Sequence, residues 1–538
     1  MQNAVQSSKR APNTNTTMAN TKILWVDDEI DLLKSNIMFL TQKGYEVSEA
    51  TNGEDAIQLI KDNEYDLVFM DEMMPGMGGL ETLVEVKDLK PALPVVMVTK
   101  NETESLMEDA IGNKISDYLL KPVNPNQLLL VCKKVLESKR IKGDQISRDY
   151  TQEFSRFSMA LSDNPGWKEW IDLYTKMTNW EIDVSQHKEL GLMQTLSDQK
   201  RESNVEFSKY IEKNYEDWVN AEKGEDVPTL SHQIMDKYVI PELDKHKSVF
   251  LFVVDCMRLD QWLMMEPFLN PYFRMTKEYY YSFLPTATPY SRNAIFAGLF
   301  PSDIEKHYPE LWKGADDETS KNMHEKELLT KLLERRRIKL RNELRYTKIM
   351  DSDFSRGIEN KILSFSDSHL NTIVINFLDM IVHSRSDYAI LKEIAPDESA
   401  FRSLTASWFE HSSFFGMLRK LAGKPDVKII ITTDHGSIRC LHGVKALGDR
   451  DSSPNLRYKY GRNVNAEDKH CMHISNPGRY KLPLRNGMVN YIIAKEDYYF
   501  VYPTDYHKYL NMYNDTFQHG GISLEEMILP VITLDSKL

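Results

Sequence analysis

The sequence predicts an α/β protein made of a doubly wound N-terminal domain, a helical-bundle linker and a larger C-terminal α/β domain. Short apolar runs alternate with amphipathic segments from Lys22 to about Arg140 and again from Ser248 onward, which is typical of parallel sheets covered by helices. Between roughly Asp144 and Lys223, apolar residues instead recur at the spacing of helices. We expect domains over residues 21–141, 142–235 and 245–538, after a disordered tail over residues 1–20.

The composition indicates a soluble, cytoplasmic protein. The 538 residues carry a formal net charge of −13 at pH 7, which argues against a protein that coats duplex DNA by bulk charge. The four cysteines are widely spaced and form no CxxC pair, so we expect neither a disulfide framework nor a ribbon-type zinc site. No apolar run reaches the roughly 18 residues that a membrane span needs, and residues 1–20 lack the apolar core of a secretory signal.

Polar side chains follow three predicted strands of the N-terminal domain. Asp27 and Asp28 end the first apolar run, Asp71 ends another, and Thr99 follows Val95–Val98. Because the carboxyl ends of parallel strands share one edge of the sheet, these groups should converge there. Neighbouring carboxylates repel one another, so we expect them to bind a divalent cation, and their oxygen ligands suit Mg²⁺. Thr99 can donate a hydrogen bond to an oxygen of a phosphoryl group on Asp71, and the ammonium group of Lys121 can pair with the charge of that group.

This part of the chain resembles the flavodoxin-like receiver domain of two-component response regulators. The motifs that carry the resemblance are Val26-Asp27-Asp28-Glu29, Met70-Asp71-Glu72-Met73-Met74-Pro75-Gly76, Val98-Thr99 and Tyr118-Leu119-Leu120-Lys121-Pro122. The resemblance implies that Asp71 accepts a phosphoryl group from a sensor histidine kinase. It also implies that Asp28, Asp71 and the Met73 carbonyl hold the Mg²⁺ ion, with Asp27 as a further acid, and that the Tyr118 rotamer responds to phosphorylation.

A second set of acids and imidazoles is spread through the C-terminal domain. Asp255 and Asp434-His435 follow apolar runs, and the apolar run Thr372–Leu378 is expected to be a strand that ends directly before Asp379. His383 lies four residues after Asp379, within reach of the same ion if the chain turns helical there. His519 stands before two glycines. Mixed oxygen and imidazole ligands suit Zn²⁺ or Mn²⁺ better than Mg²⁺.

A threonine next to these ligands is a candidate nucleophile. The segment Leu284-Pro285-Thr286-Ala287-Thr288-Pro289 leads into an apolar, helix-like stretch, and a hydroxyl at a helix N-terminus beside a metal ion can lose its proton and attack phosphorus. Either threonine fits that description. Arg292 and Asn293, a few residues further on, are candidate donors to phosphate oxygens.

The C-terminal domain resembles the alkaline phosphatase superfamily, specifically its PglZ-type branch. The resemblance rests on Val254-Asp255-Cys256-Met257-Arg258-Leu259-Asp260, Thr288-Pro289 with Gly298-Leu299-Phe300-Pro301, Asp379 with His383, Asp434-His435-Gly436 and His519-Gly520-Gly521. It implies two metal ions. Asp379, His383 and His519 would hold one, and Asp255, Thr288, Asp434 and His435 the other. It also favours Thr288 over Thr286 as the nucleophile, because Thr288 lies ten residues before Gly298.

A basic and aromatic stretch follows Asp434-His435 and suggests a nucleotide phosphodiester as substrate. Cations alternate with tyrosines there, so backbone phosphates could meet the cations while Tyr458 or Tyr460 stacks a base. The candidate phosphate ligands are Lys445, Arg450, Arg457, Lys459 and Arg462. A charged surface loop explains the same stretch equally well.

The order of receiver, helical linker and PglZ-type domain resembles the PorX-type response regulators of type IX secretion in Bacteroidetes. That resemblance implies a phosphorylation-controlled regulator whose effector is an enzyme. Our first hypothesis is a metal-dependent phosphodiesterase for nucleotides or short oligonucleotides, which forms a homodimer when Asp71 is phosphorylated. One alternative is a phosphorylation-switched binding protein with a structural metal site, acting on a sigma factor or a secretion component. Another is a DNA-binding transcription factor, which the missing basic helix-turn-helix segment disfavours.

Overall fold

The computed structural model describes residues 21–91, 93–100, 115–187, 191–222, 224–312, 322–387, 389–448, 452–484 and 489–538. The chain divides into two compact units, Met1–Asp149 and Tyr150–Leu538. The predicted disordered tail over residues 1–20 lies outside the described residues. Within the described ranges, no helix has the length and apolar character that crossing a membrane requires.

The N-terminal unit contains a five-stranded parallel sheet in the order β2-β1-β3-β4-β5. Its strands are β1 (Thr21–Val26), β2 (Tyr45–Ala50), β3 (Leu67–Asp71), β4 (Val95–Thr99) and β5 (Asp117–Leu120). Its helices are α1 (Lys34–Gln42), α2 (Gly53–Asp62), α3 (Gly79–Leu89) and α4 (Pro125–Cys132). All five residues of β3 are buried, as expected of a central strand covered on both faces. The predicted doubly wound domain is confirmed.

Three long helices follow: α5 (Ser138–Ser162), α6 (Trp167–Ser185) and α7 (Met193–Asn220). Trp170 and Phe207, two of the apolar residues that recur at helical spacing, form part of a core, since their rings lie 5.2 Å apart and both are buried. Phe207 also stacks on Tyr281 of the large unit, with a centroid separation of 6.3 Å. The predicted helical linker is therefore confirmed, and these aromatic side chains pack in its core.

The large unit is built on a six-stranded sheet in the order β7-β18-β10-β6-β9-β8. Neighbouring strands from β10 to β8 are parallel, β18 runs antiparallel to β10, and β7 pairs antiparallel with β18 and so runs in the same direction as those four. Successive residues of β6 enter different cores, with Phe250 and Phe252 on one face and Val249 and Leu251 on the other. The strands are β6 (Ser248–Val254), β7 (Phe273–Tyr281), β8 (Arg345–Ile349), β9 (Leu370–Ile375), β10 (Val427–Thr432) and β18 (Ile528–Ser536).

Helices cover this sheet, and short strands form smaller sheets beside it. The helices are α8 (Ile240–Leu243), α9 (Leu259–Leu269), α10 (Thr288–Ala297), α11 (Pro301–His307), α12 (Glu325–Arg335), α13 (Ser352–Phe365), α14 (Phe377–Asp387), α15 (Ala389–Ile394), α16 (Glu398–His411), α17 (Ser413–Ala422), α18 (Tyr506–Tyr513) and α19 (Leu524–Met527). The short strands are β11 (Ile438–Cys440), β12 (His442–Lys445), β13 (Tyr458–Gly461), β14 (Cys471–Ile474), β15 (Asn490–Ala494), β16 (Tyr498–Val501) and β17 (Thr516–Gln518).

One predicted strand is shorter than expected. The apolar run Thr372–Leu378 was expected to end directly before Asp379, but β9 ends at Ile375 and α14 begins at Phe377. Leu378 is fully buried in the core as a helical residue, so the apolar run continues through a change of secondary structure. Asp379 therefore lies in the first turn of a helix, four residues from His383 on the same face.

Candidate active site

The N-terminal unit brings together the three predicted acids at one edge of its sheet. Carboxylate oxygens of Asp27, Asp28 and Asp71 lie within 4.8 Å of one another. The Lys121 Nζ atom is 2.8 Å from Asp27 Oδ2 and 3.0 Å from Asp71 Oδ2. Burial raises the pKa of Asp71 above its ordinary value, although the hydrogen bond from Lys121 opposes that rise. The geometry suits a divalent cation with oxygen ligands.

The other predicted residues of this site lie near it in the chain. Thr99 is the last residue of β4, and its hydroxyl donates a hydrogen bond to the Glu72 carboxylate. Tyr118 lies in β5, and 42% of it is exposed. The Met73 side chain is exposed, in the segment that follows Asp71. The roles of Thr99, Tyr118 and the Met73 carbonyl in phosphorylation stay predictions.

The large unit assembles its six predicted acids and imidazoles into two groups of three. In each group, one potential ligand atom per residue lies within 4.8 Å of the others. We call Asp379, His383 and His519 the first triad, and Asp255, Asp434 and His435 the second triad. The acids of the second triad follow the parallel strands β6 and β10 at the carboxyl edge of the sheet.

The first triad joins α14 to the segment after β17. His383 Nε2 lies 3.4 Å from Asp379 Oδ1 and 3.2 Å from His519 Nε2. Burial acts to raise the pKa of Asp379, but His383 and His519 outweigh it and hold that pKa below its ordinary value. Burial, together with the neighbouring His435, lowers the pKa of His519 well below its usual range. A neutral imidazole beside an ionised carboxylate is the state that binds a metal ion.

The second triad is fully buried. His435 Nε2 lies 3.7 Å from Asp255 Oδ1 and 3.6 Å from Asp434 Oδ2. Burial raises the pKa of Asp255 well above its ordinary value, although its ion pair with Arg292 acts in the opposite direction. The His435 and His519 rings stack with centroids 4.1 Å apart, so the two triads are neighbours.

Three buried carboxylate oxygens in these triads fit metal ligation. Asp255 Oδ1, Asp379 Oδ1 and Asp434 Oδ2 lack a hydrogen-bond partner among the described residues. An unpartnered buried carboxylate oxygen is costly, and a cation removes that cost. The donor set of carboxylates and imidazoles in each triad is one that first-row divalent metals accept.

Thr288 lies at the N-terminus of α10 and contacts the second triad. Its Oγ1 atom is 2.9 Å from His435 Nε2. The other ring nitrogen, His435 Nδ1, is 3.1 Å from the Gly436 carbonyl oxygen, which can only accept a hydrogen bond. Nδ1 therefore carries the proton, and Nε2 is left to accept the hydrogen bond that the Thr288 hydroxyl donates.

The Thr286 hydroxyl instead makes hydrogen bonds to backbone groups. Its hydroxyl donates to the Gly521 carbonyl at 2.7 Å and accepts from the Gly520 amide at 3.1 Å. Thr286 is fully buried, and Gly520 has a φ of 118°, a conformation that favours glycine. This hydroxyl therefore fixes the loop that carries His519, which favours Thr288 as the reactive threonine.

An active-site cavity of about 420 Å³ opens over both triads. Its lining includes Thr288, Arg292 and four polar residues that the sequence analysis did not single out: Asn322, Lys348, Asn376 and Asn455. Both amide atoms of Asn322 are buried without a hydrogen-bond partner among the described residues. Lys348 is the penultimate residue of β8, in a strand with no apolar run, whereas Asn376 directly follows the apolar end of β9, a position that was an available signal.

The predicted role in phosphate binding is wrong for two of the five cations. The Arg457 guanidinium is completely buried and pairs with Glu526, with Nη2 2.6 Å from Oε2. Lys459 is 1% exposed; its Nζ atom donates to the Asn455 carbonyl at 2.9 Å and lies 4.1 Å from the Tyr502 ring centroid. Both cations satisfy buried partners and so are not available to a substrate.

The remaining candidate cations divide between the surface and the cavity. Lys445 and Arg462 are exposed and do not line the active-site cavity, and Arg450 lies outside the described residues. Arg292 lines the cavity, but its guanidinium is buried and forms ion pairs with Asp255 and Glu325. The Asn293 amide donates to the Pro289 carbonyl at 3.0 Å, and Asn293 does not line the cavity.

A buried ion cluster connects the linker helices to the large sheet domain. The Lys200 Nζ atom of α7 lies 3.0 Å from one carboxylate oxygen each of Glu181, Glu398 and Glu525. On the same helix, Asn204 donates to Glu525 at 3.1 Å. Glu525 lies six residues after His519, so α7 directly supports the chain segment that carries a triad ligand.

Three family descriptions match successive parts of the chain. Residues 23–133 match the response regulator receiver domain, and residues 140–219 match the PorX response regulator linker domain. Residues 234–534, more than half of the chain, match the BREX system PglZ alkaline phosphatase-like domain.

Individual relatives resemble only part of the chain. The transcriptional regulatory protein ResD of Bacillus subtilis is 35% identical over 116 residues, which are 22% of this chain and 48% of ResD. The transcriptional regulatory protein ZraR of Klebsiella oxytoca is 28% identical over 169 residues, 31% of this chain and 37% of ZraR. A CheY-like receiver domain structure from Methanospirillum hungatei is 30% identical, with a TM-score of 0.22, and covers 22% of this chain and 96% of that one.

Each of the two candidate sites lies within one of these family matches. The acid cluster with Lys121 lies in the receiver match, and the two triads lie in the PglZ match. The chain belongs to the PglZ alkaline phosphatase-like family, and its receiver and linker domains give it the architecture of a PorX-type response regulator.

Proposed function

We propose that this response regulator carries a zinc-dependent phosphodiesterase as its effector domain, which hydrolyses nucleotide or oligonucleotide phosphodiesters and regulates type IX secretion. The observation that carries the proposal is the position of Thr288. Its hydroxyl lies 2.9 Å from His435 Nε2, at a helix N-terminus and on the wall of the cavity over both triads. That is the arrangement a phosphorus-attacking hydroxyl needs.

The two triads are the proposed metal ligands. Asp379, His383 and His519 would hold one ion, and the second triad with Thr288 would hold the other. The buried, unpartnered carboxylate oxygens support this assignment, and the imidazoles favour Zn²⁺ or Mn²⁺ over Mg²⁺. Bound ions of this kind stabilise the charge that develops on phosphoryl and leaving oxygens.

The chain supplies the nucleophile and its positioning. The Thr288 hydroxyl gives its proton to water as its oxygen bonds to phosphorus, the bond between phosphorus and the leaving oxygen on the opposite side breaks, and the leaving oxygen takes up a proton from water. The N-terminus of α10 favours the negative charge on that oxygen. Water then attacks the resulting phosphothreonine, which restores the hydroxyl and releases a phosphomonoester. Arg292, held by Asp255 and Glu325, keeps positive charge in the cavity wall.

The receiver site would control this activity. A receiver domain implies phosphorylation by a sensor kinase, and Asp71 is the proposed acceptor, with Mg²⁺ beside it. We expect phosphorylation to act by shifting the population toward a homodimer, and a sigma factor or secretion component to receive the signal.

Turnover of a chromogenic diester tests the proposal. Full-length protein with Zn²⁺ should hydrolyse bis(4-nitrophenyl) phosphate, and Thr288→Ala should lower kcat by about 100-fold or more. Thr288→Ser, which restores a hydroxyl, should recover part of the activity. Thr330→Ala, at a position that does not line the cavity, is the matched control.

Turnover that is independent of metal, or that survives Thr288→Ala, contradicts the proposed chemistry. If Thr288→Ala also preserves signalling while Asp71→Ala abolishes it, the chain acts as a switched binding protein whose metal site is structural.

A further inference from the structure

A second cavity lies next to the active-site cavity in the large unit. Its volume is about 530 Å³, within the range of about 300–1,000 Å³ that small-molecule sites occupy. Met350, at the end of the edge strand β8, lines both cavities. Ile375, the last residue of β9, lines the second cavity, and Asn376 lines the first. The two cavities therefore meet at the carboxyl edge of β8 and β9, where open α/β sheets bind ligands.

Helix α14 separates the two cavities. Asp379 and His383 line the active-site cavity, whereas Phe377 and Met380 line the second one. At 100° per residue, Met380 and His383 are about 60° apart around the helix, so adjacent faces of α14 serve the two cavities. A group in the second cavity is thus next to any phosphate held over the first triad.

The wall of the second cavity is aromatic and partly open to solvent. The Phe377 and Trp408 rings stack with centroids 4.3 Å apart and planes at 7°. Met350 and Met380 are 58% and 47% exposed at the cavity. Flat aromatic surfaces and exposed methionines are typical of sites that bind planar apolar groups.

Polar groups accompany this aromatic wall. Ser355, Arg356 and His411 line the second cavity. At the boundary between the cavities, the Asn376 amide donates to Met350 Sδ at 3.2 Å, and its Oδ1 is buried without a hydrogen-bond partner among the described residues. An unpartnered acceptor suits a ligand N–H or O–H group, which a hydrocarbon chain lacks.

We infer that this second cavity, which we call the base pocket, binds the nucleobase on one side of the scissile phosphodiester. This inference rests on the proposed function and identifies the part of the site that recognises the nucleoside. The phosphate lies in the active-site cavity, the base stacks against the wall that Phe377 and Trp408 form, and the Asn376 carbonyl oxygen accepts a hydrogen bond from the nucleoside. Base stacking on an aromatic side chain is insensitive to which base is present, so the base pocket favours nucleosides without selecting one sequence.

A series of 4-nitrophenyl phosphodiesters tests the base pocket in the zinc-loaded full-length chain. The second substituent is methyl, hexyl or thymidine, and 4-nitrophenolate is measured in each case. We expect kcat/KM for the thymidine ester to exceed that for the methyl ester by about tenfold. Ser355→Trp places an indole in the base pocket and should lower this ratio toward one, whereas Ser364→Trp, exposed on the same helix and outside both cavities, should leave it unchanged.

The outcomes separate the two proposals. A wild-type ratio near one, a hexyl ester as good as the thymidine ester, or equal effects of the two tryptophan variants would overturn the base pocket. If no diester is hydrolysed, the proposed function fails. Calorimetry then tests ligand binding to the base pocket independently of turnover. In that case, tighter binding of thymidine 5′-monophosphate than of methyl phosphate, lost in Ser355→Trp, supports it, and equal binding overturns it.

Discussion

The buried ion cluster around Lys200 predicts a large effect of a single substitution on stability. Its Nζ atom touches three carboxylates at 3.0 Å each, and its side chain is only 16% exposed. Burial disfavours the charged amine, but Glu181, Glu398 and Glu525 outweigh it and raise the pKa of Lys200 well above its ordinary value. Lys200→Met keeps the length of the side chain and removes the charge, which leaves three buried acids without that partner.

The size of the loss follows from what those acids still contact. Removing one partner of a buried ion pair costs about 3–5 kcal/mol. Arg402 still pairs with Glu181, and an Arg258 nitrogen lies 3.6 Å from Glu398, so two of the acids keep a cation. We therefore expect the lower end of the range, a decrease of about 3 kcal/mol in the free energy of unfolding of the large unit.

Urea denaturation followed by tryptophan fluorescence measures this decrease, since seven of the eight tryptophans lie in the unit Tyr150–Leu538. Lys209→Met is the matched control on the same helix. Lys209 forms an exposed pair with Glu206 at 2.7 Å, and its removal should cost no more than about 0.5 kcal/mol. If Lys200→Met costs no more than Lys209→Met, the cluster does not stabilise the join between linker and effector, and the reasoning is refuted.

Three further substitutions test other parts of the structure. Burial lowers the pKa of His232 to about 4, so the unfolded chain gains the proton first as the pH falls. As the pH falls from 7 to 4, wild type should therefore lose about 3 kcal/mol of unfolding free energy that His232→Phe does not lose. A difference between the two proteins that is independent of pH contradicts this. Thr286→Val leaves the Gly520 amide unpaired and should cost about 1–3 kcal/mol and reduce bound zinc; retained stability and zinc content refute that role. Asp71→Asn should abolish labelling by acetyl phosphate while Asp66→Asn retains it, and labelling of the first variant excludes Asp71 as acceptor.

The strand-end acids of the second triad follow a physical rule, whereas the grouping of all six residues around two metal ions came from the resemblance to the alkaline phosphatase superfamily. Asp255 and Asp434 come directly after or near the ends of buried parallel strands, and such ends meet at one edge of a sheet. The strand before Asp379 ends earlier than expected, but the helical turn expected after it does form and places Asp379 and His383 on one helix face.

The cations were harder to predict because a cation's partner is set by tertiary structure. Arg457 and Lys459 sit in a stretch that reads equally as a phosphate-binding surface, and Glu526, the partner of Arg457, lies 69 residues away in sequence. Lys200 likewise meets Glu398 across 198 residues. Asn322 carries no local pattern that distinguishes a cavity residue from a surface residue. Such contacts are visible only once the chain is folded.

The metal content of the full-length chain tests the central claim most directly. Elemental analysis after exhaustive dialysis should give two zinc ions per chain, and a diffraction map at the zinc absorption edge should place one ion in each triad. His383→Ala and His435→Ala should each lose one ion from the altered triad, while His507→Ala, on an exposed helix position, should keep both. A wild-type chain that holds no zinc, or ions that lie away from both triads, would contradict the account.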